Sequence, residues 1–384
     1  MSRKLVFLLA FVLTGCPGRP ATEAEQEDLA HYLTGLEHIR EGRFGDATVS
    51  LKASLEANPE RTEAHHALGD AYIGVQRPKQ AESCFRRAIE LEPEKYLSHM
   101  GLGHALRLQG RFDEALISYR KAARLMPESP APHLFKAEAH EQLGDEAAAA
   151  DFFAKAARLT PPEEAARPLI RSAKASAAAG DHSEAAQSFE KGLELTPDDT
   201  DAWFGLAEAR VRMEDLAAAA KAYEAVTRVH PDDVVATILL GTVYSRLGNE
   251  ASAREAYERA LKIEPKSPRA WEGLARLELE AGRSKAAVEA AEQALAGLGG
   301  DDPYTIRAVT ELLADVGDAR RSSELYRLLL GENDEDPSLW LGLARQLEAL
   351  GETAEVGDIC RRLGDEELPP KDREWCGNRL DRDR

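Results

Sequence analysis

Aromatic side chains are scarce in this sequence of 384 residues: Phe, Trp and Tyr together make up 6%. Strands favour aromatics, so the shortage weighs against a largely β fold. Ala, by contrast, fills 64 positions, and it is the best helix former. Basic residues are also short, 49 against 68 acidic, which leaves a formal charge of −19. Nucleic acid and anionic membrane surfaces repel such a chain, so neither is expected as its main partner. Enzyme signatures are nearly absent. Gly101-Leu102-Gly103 begins like a dinucleotide turn, but Leu106 stands where the third glycine is needed. His140-Glu141 begins like a zinc-protease helix, yet Gly144 replaces the second histidine. No serine lies in a G-x-S-x-G elbow. The expectation is a non-enzyme without cofactor or metal. What is present suffices for a core: 43% of residues are hydrophobic, which excludes wholesale disorder. The length alone suggests two or three domains, unless a repeat replaces them.

The first sixteen residues read as an address. Arg3 and Lys4 precede nine apolar residues, Leu5 to Leu13, too few to span a bilayer, and small residues follow. The ending Leu13-Thr14-Gly15-Cys16 resembles the bacterial lipobox. That resemblance implies removal of residues 1–15, acylation of Cys16 and a firm membrane anchor, since several acyl chains hold where one is marginal. It also implies that Pro17, which is not Asp, permits sorting to an outer membrane facing the periplasm; the cell membrane is the other possible address. Residues 16–27, rich in Pro, Gly, Ala and Glu, read as the lipidated cysteine and a tether.

Beyond them the chain repeats itself. Prolines 59, 93, 127 and 161 stand 34 residues apart, and so do 197, 231 and 265. Leu68-Gly69, Leu102-Gly103, Leu206-Ala207 and Leu274-Ala275 keep the same step. Glycines 42, 110, 144, 180, 248, 282, 317 and 351 stand seven residues after the equivalent paired places of eight repeats, and alanines such as Ala81 and Ala115 fall five residues beyond that place. Leu51, Phe85, Tyr119, Phe153, Phe189, Tyr223 and Tyr257 follow four residues later, on the same helix face as the alanines. The pattern resembles the tetratricopeptide repeat, a helix-turn-helix of 34 residues. It implies an all-α fold, a right-handed α-solenoid of about ten units over residues 28–370, with 371–384 as a capping tail. Two residues are inserted near Pro161-Pro162 and one near Gly299-Gly300.

Cys360 and Cys376 are sixteen apart, and an oxidising compartment would let them pair across the last repeat and the tail. Cys84 reads as a small buried hydrophobe. His31, His65, His99 and His133 recur at the fourth place of repeats one to four, where Trp203, Trp271 and Trp340 stand later. Equivalent places in stacked repeats lie about 10 Å apart, too far for zinc, so these rings read as packing residues. The acidic stretch 332–336 lacks the glycine of a calcium loop and reads as a solvated turn.

In tetratricopeptide proteins the second, fifth, ninth and twelfth places of each first helix line a concave groove. Those places hold Leu29, Tyr32, Leu36 and Ile39 in repeat one, Arg167 and Lys174 in repeat five, and Phe204 and Val211 in repeat six. Val235 and Ile238 follow in repeat seven, then Arg269 and Arg276, with Arg307 and Arg345 beyond. Apolar residues rimmed by charge mark partner sites, although the tether could cover those of repeat one. The resemblance thus implies a scaffold that binds and positions other envelope proteins or peptides. A module recognising cell-wall polymer through Tyr32, Phe204 and Tyr304 is the alternative, and an enzyme with an unrecognised groove site a more distant one. The paired Asn and Lys that hold peptide carboxylates in chaperone-binding relatives have no counterpart, since Asn58, Asn249, Asn333 and Asn378 stand elsewhere.

Overall fold

A computed structural model describes residues 22–297, 302–333, 335–363 and 368–380. The leader, Cys16 and the tether up to residue 21 lie outside the described residues, as do 381–384. The described chain is all-helical, with no strand among those residues. It divides into two compact units, residues 1–205 and 206–384.

In the first unit the helices pair as α1 (Glu23–Arg40) with α2 (Phe44–Ala57), α3 (Thr62–Gly74) with α4 (Pro78–Leu91), and α5 (Tyr96–Arg107) with α6 (Phe112–Leu125). Next come α7 (Ala131–Leu143) with α8 (Glu146–Leu159), a single 3-10 turn at Pro162–Glu164, and α9 (Ala166–Ala178) with α10 (His182–Leu195). The 3-10 turn absorbs the two inserted residues. Helix α11 spans Thr200–Arg212. The second unit continues with α12 (Leu216–Val229), then α13 (Val234–Arg246) with α14 (Glu250–Ile263), and α15 (Pro268–Glu280) with α16 (Ser284–Gly297). It ends with α17 (Pro303–Val316) and α18 (Ala319–Glu332), α19 (Pro337–Leu350) and α20 (Thr353–Leu363), and a last helix α21 (Pro370–Leu380).

Helix α1 begins at Glu23, inside the stretch expected to be tether. The reason is a capping box: the Thr22 hydroxyl accepts from the Glu25 backbone N–H, and the Glu25 carboxylate accepts from that of Thr22. The second helices start similarly. Asp145, Asp181, Asp215, Asn249 and Asp318 each accept a bond from the backbone N–H three residues on.

Glycines at the fifteenth place, from Gly42 to Gly351, end the first helices with φ between 73° and 88°. Repeats two and six carry Gln76 and Glu214 there, and both are held at φ 59°. A side chain in that left-handed region costs about 1 kcal/mol. Gln76→Gly is therefore expected to stabilise the protein by about that amount, read as a later denaturation midpoint. An unchanged or earlier midpoint would contradict it.

The alanine and aromatic of each second helix are the core. Ala81 and Phe85, Ala115 and Tyr119, and Ala149 and Phe153 are fully buried, and a Cβ placed on Gly103 would lie 2.4 Å from the Tyr119 ring. Glycine at the eighth place thus sets how closely the two helices of a unit approach. At the C-terminal end Cys360 of α20 and Cys376 of α21 are disulfide-bonded, their Cα atoms 5.4 Å apart. Both are buried with Leu347, Leu363 and Leu368, and Trp375 packs on that cluster beneath the Arg379 guanidinium. Arg379 also grips Glu348 with paired bonds of 2.9 Å. Helix α21 covers the apolar end of the second unit. Cys84 is half-buried, and burial pushes its thiol up to about 11, where it stays protonated and unreactive.

Candidate binding surface

The first-helix places of repeat one do not form an open apolar patch. Leu29 is buried, and Tyr32, Leu36 and Ile39 are half-buried against the cluster around Leu51, Tyr72 and Phe85. Arg61 lies over the Tyr32 ring at 5.4 Å. The expected lining is here largely core, because α1 has the next repeat on its flank.

In the rest of the first unit several of these places are occupied by groups that satisfy one another. His66 lies 3.4 Å from Asp70 and 5.4 Å from the Phe85 ring, and burial lowers the imidazole pKa. Arg171 of α9 bridges Glu138 and Glu141 of α7, with N–O separations of 2.8 and 2.6 Å. Its guanidinium also lies over Phe153 at 4.2 Å. Sequence register missed Arg171, which sits at the sixth place rather than a groove place. Its signal lies in its partners, two glutamates a turn apart one repeat earlier. Arg167 and Lys174, flanking it on α9, remain exposed. Phe204, near the end of the unit, is half-buried.

In the second unit Val211 and Ile238 are half-buried, and Ile238 packs beside Tyr257 and Leu277. Val235 and Tyr304, at the second place of repeats seven and nine, stand 56% and 85% exposed. Most of the expected cations are spoken for: Arg276 pairs with Glu272, Arg307 with Glu311 and Asp336, and Arg345 with Asp372. Arg269 is exposed, and it makes no ion pair among the described residues. Acid four residues along, or in the following turn, cancels charge that register alone assigned to a partner. Asp336 has a second task, accepting the Ser338 backbone N–H at 2.8 Å to start α19. The acidic turn is a helix cap.

The rings at the fourth place have a shared role that was not foreseen. The Nε2–H of His65 donates to the carbonyl of Pro59 and that of His99 to Pro93, both at 2.8 Å. Indole N–H groups do the same later, Trp203 to Pro197 at 2.7 Å and Trp271 to Pro265 at 3.0 Å. Each ring latches its own helix to the end of the previous repeat. His133 makes no such bond, and its Nδ1 is buried without a partner. No group of three potential metal ligands converges among the described residues. None of the described helices is long and apolar enough to cross a membrane.

A family profile described as tetratricopeptide repeat matches residues 66–130, 119–164, 170–234, 206–268 and 238–303, well over half of the chain. The chain belongs to the tetratricopeptide repeat family. Among solved structures it is similar to the C-terminal part of a TPR repeat-containing protein from Cytophaga hutchinsonii. There the identity is 17% and the TM-score 0.54, over 63% of this chain and 99% of that one. It is also similar to a chain of the Naa15/Naa10 complex bound to HypK-THB, at 14% identity and a TM-score of 0.50. That match covers 93% of this chain and 66% of the other. The TPR protein YrrB, described as having an unusual peptide-binding site, aligns at 22% identity with a TM-score of 0.41, over 52% of this chain and 97% of its own. At these identities the likeness is one of fold. No curated protein matches the chain. Tetratricopeptide repeats serve as surfaces for other proteins or peptides.

Proposed function

We propose that this tetratricopeptide repeat protein is a lipid-anchored scaffold of the bacterial envelope, held by Cys16 in a membrane, with the outer membrane facing the periplasm favoured. It binds and positions other proteins there, without a catalytic step of its own, as an envelope complex is assembled. The observation that carries the binding role is the exposure of Val235 and Tyr304 on first-helix places that the fold's own packing leaves unused. A preformed face of this kind avoids the ordering cost that a flexible scaffold would meet. The lipobox-like Leu13-Thr14-Gly15-Cys16 supports the anchor. The nearly bare Tyr304 ring equally suits stacking on a sugar, and this favours cell-wall polymer as the second reading.

Photo-crosslinking residues placed at 235 and 304 in intact cells separate the two. Discrete protein adducts are expected; adducts with glycan alone would favour the polymer, and no adduct at either place would sink both. Cys16→Ser is expected to move the protein from the membrane fraction to the soluble one. Persistent membrane association of that variant would overturn the lipid anchor.

A further inference from the structure

Lys136, on α7 in the first unit, is only 9% exposed. Its ammonium sits 3.5 Å from the centre of the Phe152 ring of α8, and it makes no ion pair or hydrogen bond among the described residues. The charges that bear on it are Arg120 of α6 and Lys155 of α8, both cations. Burial, helped by those two, brings the amine down to about 8. His133, one turn earlier, is buried too and is pulled down to about 4, so it is neutral at ordinary pH. Among the described residues no carboxylate figures among the charges acting on Lys136. A Met of similar length would fill the same space without the cost of an unpaired buried charge.

Arg120 also borders a surface cleft of about 660 Å³ between α4, α5 and α6. Lys121 and Arg124 stand in its wall, and neither has a partner among the described residues. The acid in that wall, Glu114, is taken by Arg111 at 2.7 Å. Leu102 and Ile89 line the cleft, and Ile117 rises from it 63% exposed. Uncompensated cations therefore run directly into an apolar recess.

We propose that this strip on α6 to α8 is a docking site for an acidic peptide segment of a partner protein. A carboxylate reaches in among Arg120, Lys136 and Lys155, and an apolar side chain settles against Ile117. Charge complementarity and the apolar lining together select this occupant. Inorganic phosphate has no use for Ile117, and the plane of a lipid headgroup layer does not reach an amine recessed beneath the surface. A carboxylate on a side-chain stem does. The site is separate from Val235 and Tyr304, so it stands or falls independently of the face proposed above.

The test uses the full chain and a short labelled peptide of alternating Glu and Leu, followed by fluorescence anisotropy at low salt. Binding is expected, with a matched peptide carrying Gln in place of Glu inert. Arg120→Glu, Lys155→Glu and Lys136→Met are each expected to weaken it about tenfold, as loss of a close charge pair does. Lys136→Met should at the same time raise the melting temperature, which separates loss of the site from loss of the fold. The proposal is overturned if the acidic peptide does not bind, or if the three substitutions leave its affinity unchanged. It is equally overturned if phosphate or phosphatidylglycerol vesicles bind at these residues while the peptide does not.

Discussion

Phe85→Ala is expected to lower stability by about 3–5 kcal/mol, as emptying a large core site does. The ring is fully buried, with glycine backbone of α3 and α5 on two sides and the His66 ring beside it. A Cβ on Gly69 would lie 2.6 Å from it, and one on Gly101 2.3 Å, so it fills the joint between repeats two and three from both sides. Gly69 and Gly101 have no side chain to swing into the vacated space, so a cavity is expected to remain. Repeat stability is a sum of local terms, so the damage should remain near its source. Amide exchange should accelerate in α3 to α6 and hold steady across the second unit. Uniform loss of protection along the whole chain would contradict this.

Asp28→Ala is the second large effect, about 3 kcal/mol, with release of α1 as its mark. The Asp28 carboxylate is fully buried. It accepts from the Ser54 hydroxyl at 2.5 Å, from the Asn58 amide at 3.2 Å and from the Arg61 guanidinium at 2.6 to 2.9 Å. Removing it strands a half-buried cation and two polar side chains at once, which costs far more than losing an exposed ion pair. Limited trypsin digestion should then cut at Arg40 and Arg43 faster than in the parent, where the helical backbone is expected to slow cleavage. Asp28→Asn keeps part of the network and should fall between the two. Equal resistance of Asp28→Ala and the parent would show that α1 is held by packing alone.

Much of the fold was legible because a 34-residue period fixes both helix length and facing. The glycines at the fifteenth place, the alanine and aromatic four apart, and the insertion at Pro161-Pro162 all carry local meaning. What register does not carry is the neighbour. Tyr32, Leu36 and Ile39 hold groove places, yet they are spent on the core because the repeat beside them closes over their sides. Arg276 and Arg307 also hold groove places and find acid within reach. Asp28, Arg171 and Lys136 matter through residues about 15 to 35 positions away, and only for Arg171, with two glutamates a turn apart one repeat earlier, does the sequence carry a sign of the pairing. The ring latches were half visible: the recurrence at place four was plain, but the proline carbonyl that receives each N–H was not.

Those latches are unevenly distributed. Repeats two, three, six and eight carry a ring N–H bonded to the preceding proline, whereas Leu169 offers no donor and the Thr237 hydroxyl bonds back to Asp233, the cap of its own helix, rather than to a proline. Within each unit the joints are thus springs of unequal stiffness. In the first unit the joints at His65 and His99 carry this fastening, and those at His133 and Leu169 do not. Where the ring latch is missing, between α7 and α9, the bridges from Arg171 to Glu138 and Glu141 take its place as the polar tie across the joint.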